Sequence, residues 1–187
     1  MLISLIKSLP AARKKISKGL NKLLSWDPWV NYSWSQEGED QILRRMFENQ
    51  TFGFYVDVGA HHPKRFSNTN LFYKRGWCGI NIDALPGSMK SFSHNRKRDI
   101  NLELGVGSSE GWLDYYSFGE PALNTFSQEL ALTRKNDGKS GRLKEIIKVK
   151  VLPLSSVLDQ YLPKDQKIDF MSIDVEGLDY EVLRSND

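Results

Sequence analysis

Apolar residues come in short blocks along this chain, and the spacing within each block predicts an element. The run Phe54-Tyr55-Val56-Asp57-Val58, opened by Gly53 and closed by Gly59, reads as a strand buried on both faces. Trp77 to Ile82 predicts a second strand with Asp83 directly after it, and Ile100 to Gly105 a third. Ile168 to Ile173 predicts another buried strand, ending in Asp174-Val175-Glu176-Gly177. Helical patterns lie between these blocks. Ser35 reads as an N-cap, Glu39 and Asp40 fall in the first turn, and Ile42, Leu43, Met46 and Phe47 supply the buried stripe. Ser67 can cap a short helix through Leu71, Phe72 and Tyr73 that Gly76 ends, and Pro86 to His94 and Leu154 to Leu162 predict two more. Trp112 to Phe118 reads as extended and Glu120 to Ser127 as a loop. Lys135 to Arg142 reads as a mobile surface linker, and Ile146 to Val151, alternating apolar and basic, as an edge or half-exposed strand. Trp26, Trp29, Tyr32 and Trp34, around Pro28, predict an apolar clasp.

Composition is ordinary for one soluble domain with a real core: 187 residues, 40% apolar and 26% charged. Charge is uneven. Residues 1–26 hold six basic residues and no acidic ones, leaving 20 basic and 23 acidic elsewhere, which argues against a body that binds nucleic acid. That basic segment is too short in apolar stretch to cross a bilayer and lacks a clear signal-peptide core. Two readings stay open for it: a helix lying on an anionic membrane surface, or a basic, partly helical tail. Cys78 is the only cysteine, so no intrachain disulfide and no Cys-based zinc cluster can form, which fits a reducing, cytoplasmic setting.

Candidate chemistry sits at the strand tips. Asp57 and Gly59 put a carboxylate and a bare backbone at the end of the first strand, where open α/β sheets bind ligands. Asp83 falls 24 positions after Gly59, near the spacing at which an acidic residue holds ribose hydroxyls in nucleotide-binding βαβ units. A dinucleotide would need a second glycine in the first turn, but Gly59-Ala60-His61-His62 has histidine there and gives a pyrophosphate no seat. S-adenosylmethionine, with a ribose diol, an amino-acid tail and a sulfonium cation but no phosphate, suits acidic tips at Asp57, Asp83 and Asp174. The expectation is that these three carboxylates converge on one crevice.

Taken together, Phe54 to Ala60, Ile82-Asp83, Asn124-Thr125 and Ile168 to Gly177 resemble the FkbM family of S-adenosylmethionine-dependent methyltransferases, and Ser35 to Asp40 resembles the segment preceding the first strand in many members. The resemblance implies an α/β fold with a Rossmann-like class I methyltransferase sheet over residues 32–187, preceded by a basic N-terminal extension over 1–31. It also implies, most often, O-methylation of a sugar or other hydroxyl-bearing metabolite. By the same resemblance Asp57 and Gly59, with Ala60 beside them, lie near the methionine tail, Asp83 binds the ribose, and Glu103 to Gly105 approach the adenine. Asp174 and Glu176 then sit near the methyl group or the acceptor. Members of the family continue through further strands beyond the Asp174 strand, so the C-terminal strands of the sheet are expected to be missing here. An acceptor hydroxyl must lose a proton, and His61 and Asp174 are the candidate bases. The spacing of Asp174 and Glu176 is no recognised metal signature, and no metal is expected. The alternative is a non-catalytic or truncated methyltransferase-like module that associates with membrane or protein through its basic N-terminus.

Overall fold

The computed structural model describes residues 29–134 and 141–186. The chain divides into two units, Met1–Tyr32 and Ser33–Asp187, and the second carries the sheets. In chain order its described elements are α1 (Glu39–Met46), β1 (Phe54–Val58), α2 (Asn70–Lys74), β2 (Cys78–Asp83), α3 (Met89–Asn95), β3 (Ile100–Glu103), β4 (Gly105–Val106), β5 (Gly111–Phe118), α4 (Gln128–Arg134), β6 (Leu143–Leu152), α5 (Leu154–Tyr161), β7 (Phe170–Ile173) and α6 (Asp179–Arg184), with a 3-10 turn at Pro121–Leu123. Among the described residues no helix is long and apolar enough to cross a membrane.

Four strands form a parallel sheet in the order β3-β2-β1-β7. A parallel pair needs a crossover, and packing those crossovers on both faces leaves a central strand no polar side. All five residues of β1 are buried accordingly. Successive side chains alternate. Val56 and Val58 join Ile80, Ile82, Leu154, Val157 and Val182 in the core under α5 and α6. Tyr55 faces the other way, into an aromatic cluster with Phe72 and Trp77 that Leu43, Phe47 and Phe170 complete. The Phe72 ring lies 4.8 Å from Phe170 and 4.9 Å from Trp77, the range in which aromatic pairs add to burial. Each such large apolar side chain contributes about 1.5–3 kcal/mol on burial. A second sheet, ordered β4-β6-β5, is antiparallel between β5 and β6 and parallel between β4 and β6.

Several elements depart from expectation for identifiable reasons. Helix α1 starts at Glu39 rather than at Ser35, because Ser35 Oγ and Ser33 Oγ both donate to the buried Asp40 carboxylate and hold the preceding residues in a turn. Of its expected stripe, Leu43 and Phe47 pack inward while Ile42 and Met46 are exposed. The third strand is broken at Leu104, and its end peels away as β4 to join the second sheet. Strand β6 is half-exposed but is the middle strand of its sheet, not an edge. Helix α4 occupies a stretch for which no helix is expected. Trp29 and Tyr32 of the expected clasp are exposed, whereas Trp34 belongs to the second unit and has Lys74 over its ring. Trp26, the basic segment 1–26 and linker residues 135–140 lie outside the described residues.

Candidate functional site

From β1 the chain steps outward to β2 and β3, then returns to lay β7 on the opposite side of β1. Such a reversal leaves a crevice beyond the carboxyl ends of the strands, where ligands of open α/β sheets bind. A cleft with about 760 Å³ of space, its mouth included, opens there. Gly59 and His61 line it after β1, Asp83 ends β2, Asp174 and Glu176 follow β7, and Gly105, Tyr115 and Asn124 form the wall contributed by the second sheet and the loop after β5.

The turn after β1 is tightly determined. Gly59 has φ +83°, and a Cβ there would stand 1.9 Å from the Asp174 carbonyl oxygen. The glycine is thus required first by the packing of the β1 tip against the β7 tip, where Asp174 N–H donates to Val58 O at 2.9 Å. His61 follows at φ 53°, its backbone N–H donating to Asp83 Oδ2 at 2.8 Å. The other Asp83 oxygen accepts from Leu85 N–H at 2.9 Å, so this carboxylate ties the β1 and β2 tips together. Burial raises its pKa against the pull of those two donors. Burial likewise holds the His61 imidazole below the usual histidine value, against the opposing effect of Asp83, so it is neutral at pH 7.

Across the cleft, Glu176 has φ 55°. Three of the four non-glycine residues with positive φ among the described residues, His61, Phe66 and Glu176, line the cleft. Each such conformation costs on the order of 1–3 kcal/mol and persists only where neighbours enforce it. Arg134 of α4 does so for Glu176 through its carboxylate, and Thr125 Oγ1 donates to the Glu176 carbonyl at 2.7 Å. Asp174 makes no such pair. Partial burial raises its pKa, with repulsion from Glu176 and Asp179 in the same direction. Outside, Arg65 forms two 2.9 Å hydrogen bonds to Glu120 and joins the loop after β1 to the loop after β5.

Of the residues singled out in the sequence, Gly59, His61, Asp83, Gly105, Asp174 and Glu176 come together on the cleft wall. Three do not. Asp57 is buried on the far side of β1, accepting from Thr69 Oγ1 at 2.7 Å, because it shares Tyr55's face rather than that of Val56 and Val58. Only two of the three carboxylates therefore converge. Ala60 is packed against Met89 and Phe92. Glu103 is exposed and accepts from Gly87 N–H at 2.8 Å. Tyr115, Asn124 and Phe66 are cleft residues for which the sequence gives no role, Asn124 being visible only as part of the Asn124-Thr125 segment. Tyr115 sits on the second sheet with its phenol pushed up by burial and by Asp83. Among the described residues no three of His, Cys, Asp and Glu cluster so as to hold a metal ion.

This arrangement of glycine turn and acidic strand tips falls inside a family match: the model for the methyltransferase FkbM domain matches residues 57–187. The chain belongs to the FkbM methyltransferase family. No curated protein and no solved structure matches it. The matched span begins at Asp57 and takes in every FkbM-like motif of the sequence except Ser35 to Asp40 and the first three residues of β1. The parallel central sheet is the scaffold such a methyltransferase domain needs, and it carries the cleft.

Proposed function

We propose that the cleft binds S-adenosylmethionine within a Rossmann-like sheet and that the chain methylates an oxygen of a sugar or other hydroxyl-bearing metabolite. The observation that carries this reading is the charge of the lining: Asp83, Asp174 and Glu176 bring carboxylates to it, Arg134 offsets only Glu176, and among the described residues no Lys or Arg lines the cleft. A pyrophosphate would meet the carboxylates of Asp83 and Asp174, which no cation offsets among the described residues, whereas a cation is favoured there. When bound, S-adenosylmethionine supplies a methyl carbon made electrophilic by its positive sulfur.

The chain's own residues would then do three things. Asp83 keeps lone pairs free beyond those taken by His61 and Leu85, and these accept from the ribose hydroxyls. Asp174 and Glu176 stand nearest the positive charge, with Arg134 fixing the Glu176 carboxylate in place. His61 takes the acceptor's proton as the new oxygen–carbon bond forms and the sulfur–carbon bond breaks, a role its neutral state at pH 7 allows. Holding acceptor and donor in line is the larger part of the rate.

Calorimetry with S-adenosylmethionine and S-adenosylhomocysteine tests the proposal. Binding is expected, with at least a tenfold loss in Asp83→Ala. No heat up to millimolar ligand would leave the non-catalytic alternative standing. Unchanged binding in Asp83→Ala would sink the ribose assignment alone.

A further inference from the structure

Two polar atoms of cleft residues lack a hydrogen-bond partner. Asn124 is 5% exposed, and its Oδ1 accepts from the Phe118 backbone N–H at 2.8 Å. That bond fixes the amide's orientation, since a flipped amide would set N–H against N–H. Its Nδ2 is buried with no hydrogen bond of ordinary geometry, although the amide lies close enough to Tyr115 to influence its phenol. His61 Nε2 is likewise buried without a partner. A buried polar group left unsatisfied costs about 1–3 kcal/mol. Two on residues lining one cleft point to a ligand that supplies their partners.

The two atoms differ in kind, and the difference selects the ligand. An amide Nδ2 can only donate, whereas a neutral imidazole with its proton on Nδ1 accepts at Nε2. A hydroxyl can accept from the first and donate to the second. An ammonium only donates, and a phosphate or carboxylate only accepts. The Phe66 ring stacked on His61 at 6.1 Å and the Tyr115 ring 4.7 Å from Phe126 add apolar surface of the sort that the C–H face of a sugar covers. Resting on the reading of the cleft as a methyltransferase site, we propose that Asn124 and His61 are the recognition pair for the acceptor. They recognise a hydroxyl of the acceptor, in a cleft whose carboxylates disfavour a phosphate ester.

The test titrates the intact chain with methyl α-D-glucopyranoside, D-glucosamine and D-glucose 6-phosphate, with and without saturating S-adenosylhomocysteine, by ligand-observed NMR. The neutral glycoside is expected to bind at least tenfold more tightly than D-glucose 6-phosphate, whose phosphate meets the carboxylates of the cleft, while D-glucosamine serves as the probe for the acidic variant Asn124→Asp. Asn124→Asp keeps the oxygen that accepts from Phe118 and replaces only the donor, so it should weaken glycoside binding at least tenfold and raise that of glucosamine. His61→Asn, which tolerates the positive φ, provides a second variant should the first fail to fold, and should also weaken the glycoside at least tenfold. Equal or stronger binding of D-glucose 6-phosphate, glycoside binding unchanged in the folded variants, or no saturable binding of the glycoside overturns the proposal. The titration without S-adenosylhomocysteine separates the two readings: glycoside binding there survives a failure of the cofactor assignment.

Discussion

Two polar clusters flank β1, and they are built on opposite rules. On the Tyr55 face, Arg96 is fully buried and spends its guanidinium on the Pro63 carbonyl, the Tyr55 hydroxyl and Ser67 Oγ. Asp99 beside it accepts from Tyr55 at 2.6 Å, from Asn81 at 3.0 Å and from Gly79 N–H at 3.1 Å. Apart from Asn81 Oδ1, which is buried without a partner, the cluster consumes its own donors and acceptors, and it binds the loop after β1 to the sheet. In the cleft, by contrast, Asp174 pairs with no cation and His61 and Asn124 each keep a buried atom unbonded. Satisfied polar groups stabilise a fold, whereas an unsatisfied buried one costs free energy and calls for an explanation, which the proposed acceptor supplies for the two in the cleft. Acidic residues that look alike in the sequence, Asp57 and Asp174, thus belong to different machinery.

Substitutions should separate the two clusters by size of effect. Arg96→Met leaves Asp99 buried without its cation, and a loss of about 3–5 kcal/mol is expected in urea unfolding. A loss under about 1 kcal/mol would remove the contrast altogether. Asp57 is the member of the buried cluster shortest of donors, and burial raises its pKa from 3.8 to about 6. A raised acid stabilises the fold fully below about pH 4 and loses that contribution as pH climbs through about 6, on the order of 3 kcal/mol across the window. Asp57→Asn should therefore gain on the parent by that amount between pH 4 and pH 7, and parallel stability curves would refute the assignment. Gly59→Ala sets a Cβ against the Asp174 carbonyl and strains a φ of +83°, for an expected loss of about 1–3 kcal/mol in thermal unfolding together with loss of cofactor binding. The smallest stability effect belongs to the cleft. Asp174→Asn should change unfolding by no more than about 0.5 kcal/mol while weakening binding of the cationic cofactor relative to S-adenosylhomocysteine. A large destabilisation would place Asp174 with the structural cluster instead.

Much of the scaffold is legible without coordinates. The strands at 54–58, 78–83 and 170–173 and the helix at 154–161 follow from blocks whose apolar period and glycine punctuation agree. The failures have a common form. Ile42 and Met46 have the right period for a buried stripe, but helix α1 has a neighbour on one side only. Leu104 continues an apolar run, yet the backbone leaves the sheet there because β6 offers Gly105 and Val106 a different partner. Half of the site behaves the same way. Asp83, Asp174 and His61 are visible as strand-tip chemistry, while Tyr115 and Asn124 lie in a β-rich segment and a loop that point nowhere until β5 pairs with β6.

The linear chain by itself determined where backbone becomes strand, which residues end each strand, and which carboxylates those ends carry, because these depend on local period and on neighbours one to four positions away. Only the tertiary structure decided the face on which each carboxylate emerges and what meets it there. A shift of one residue along a strand turns a side chain to the opposite face, and the donors that satisfy Asp99 come from Tyr55, Gly79 and Asn81, segments distant in the chain.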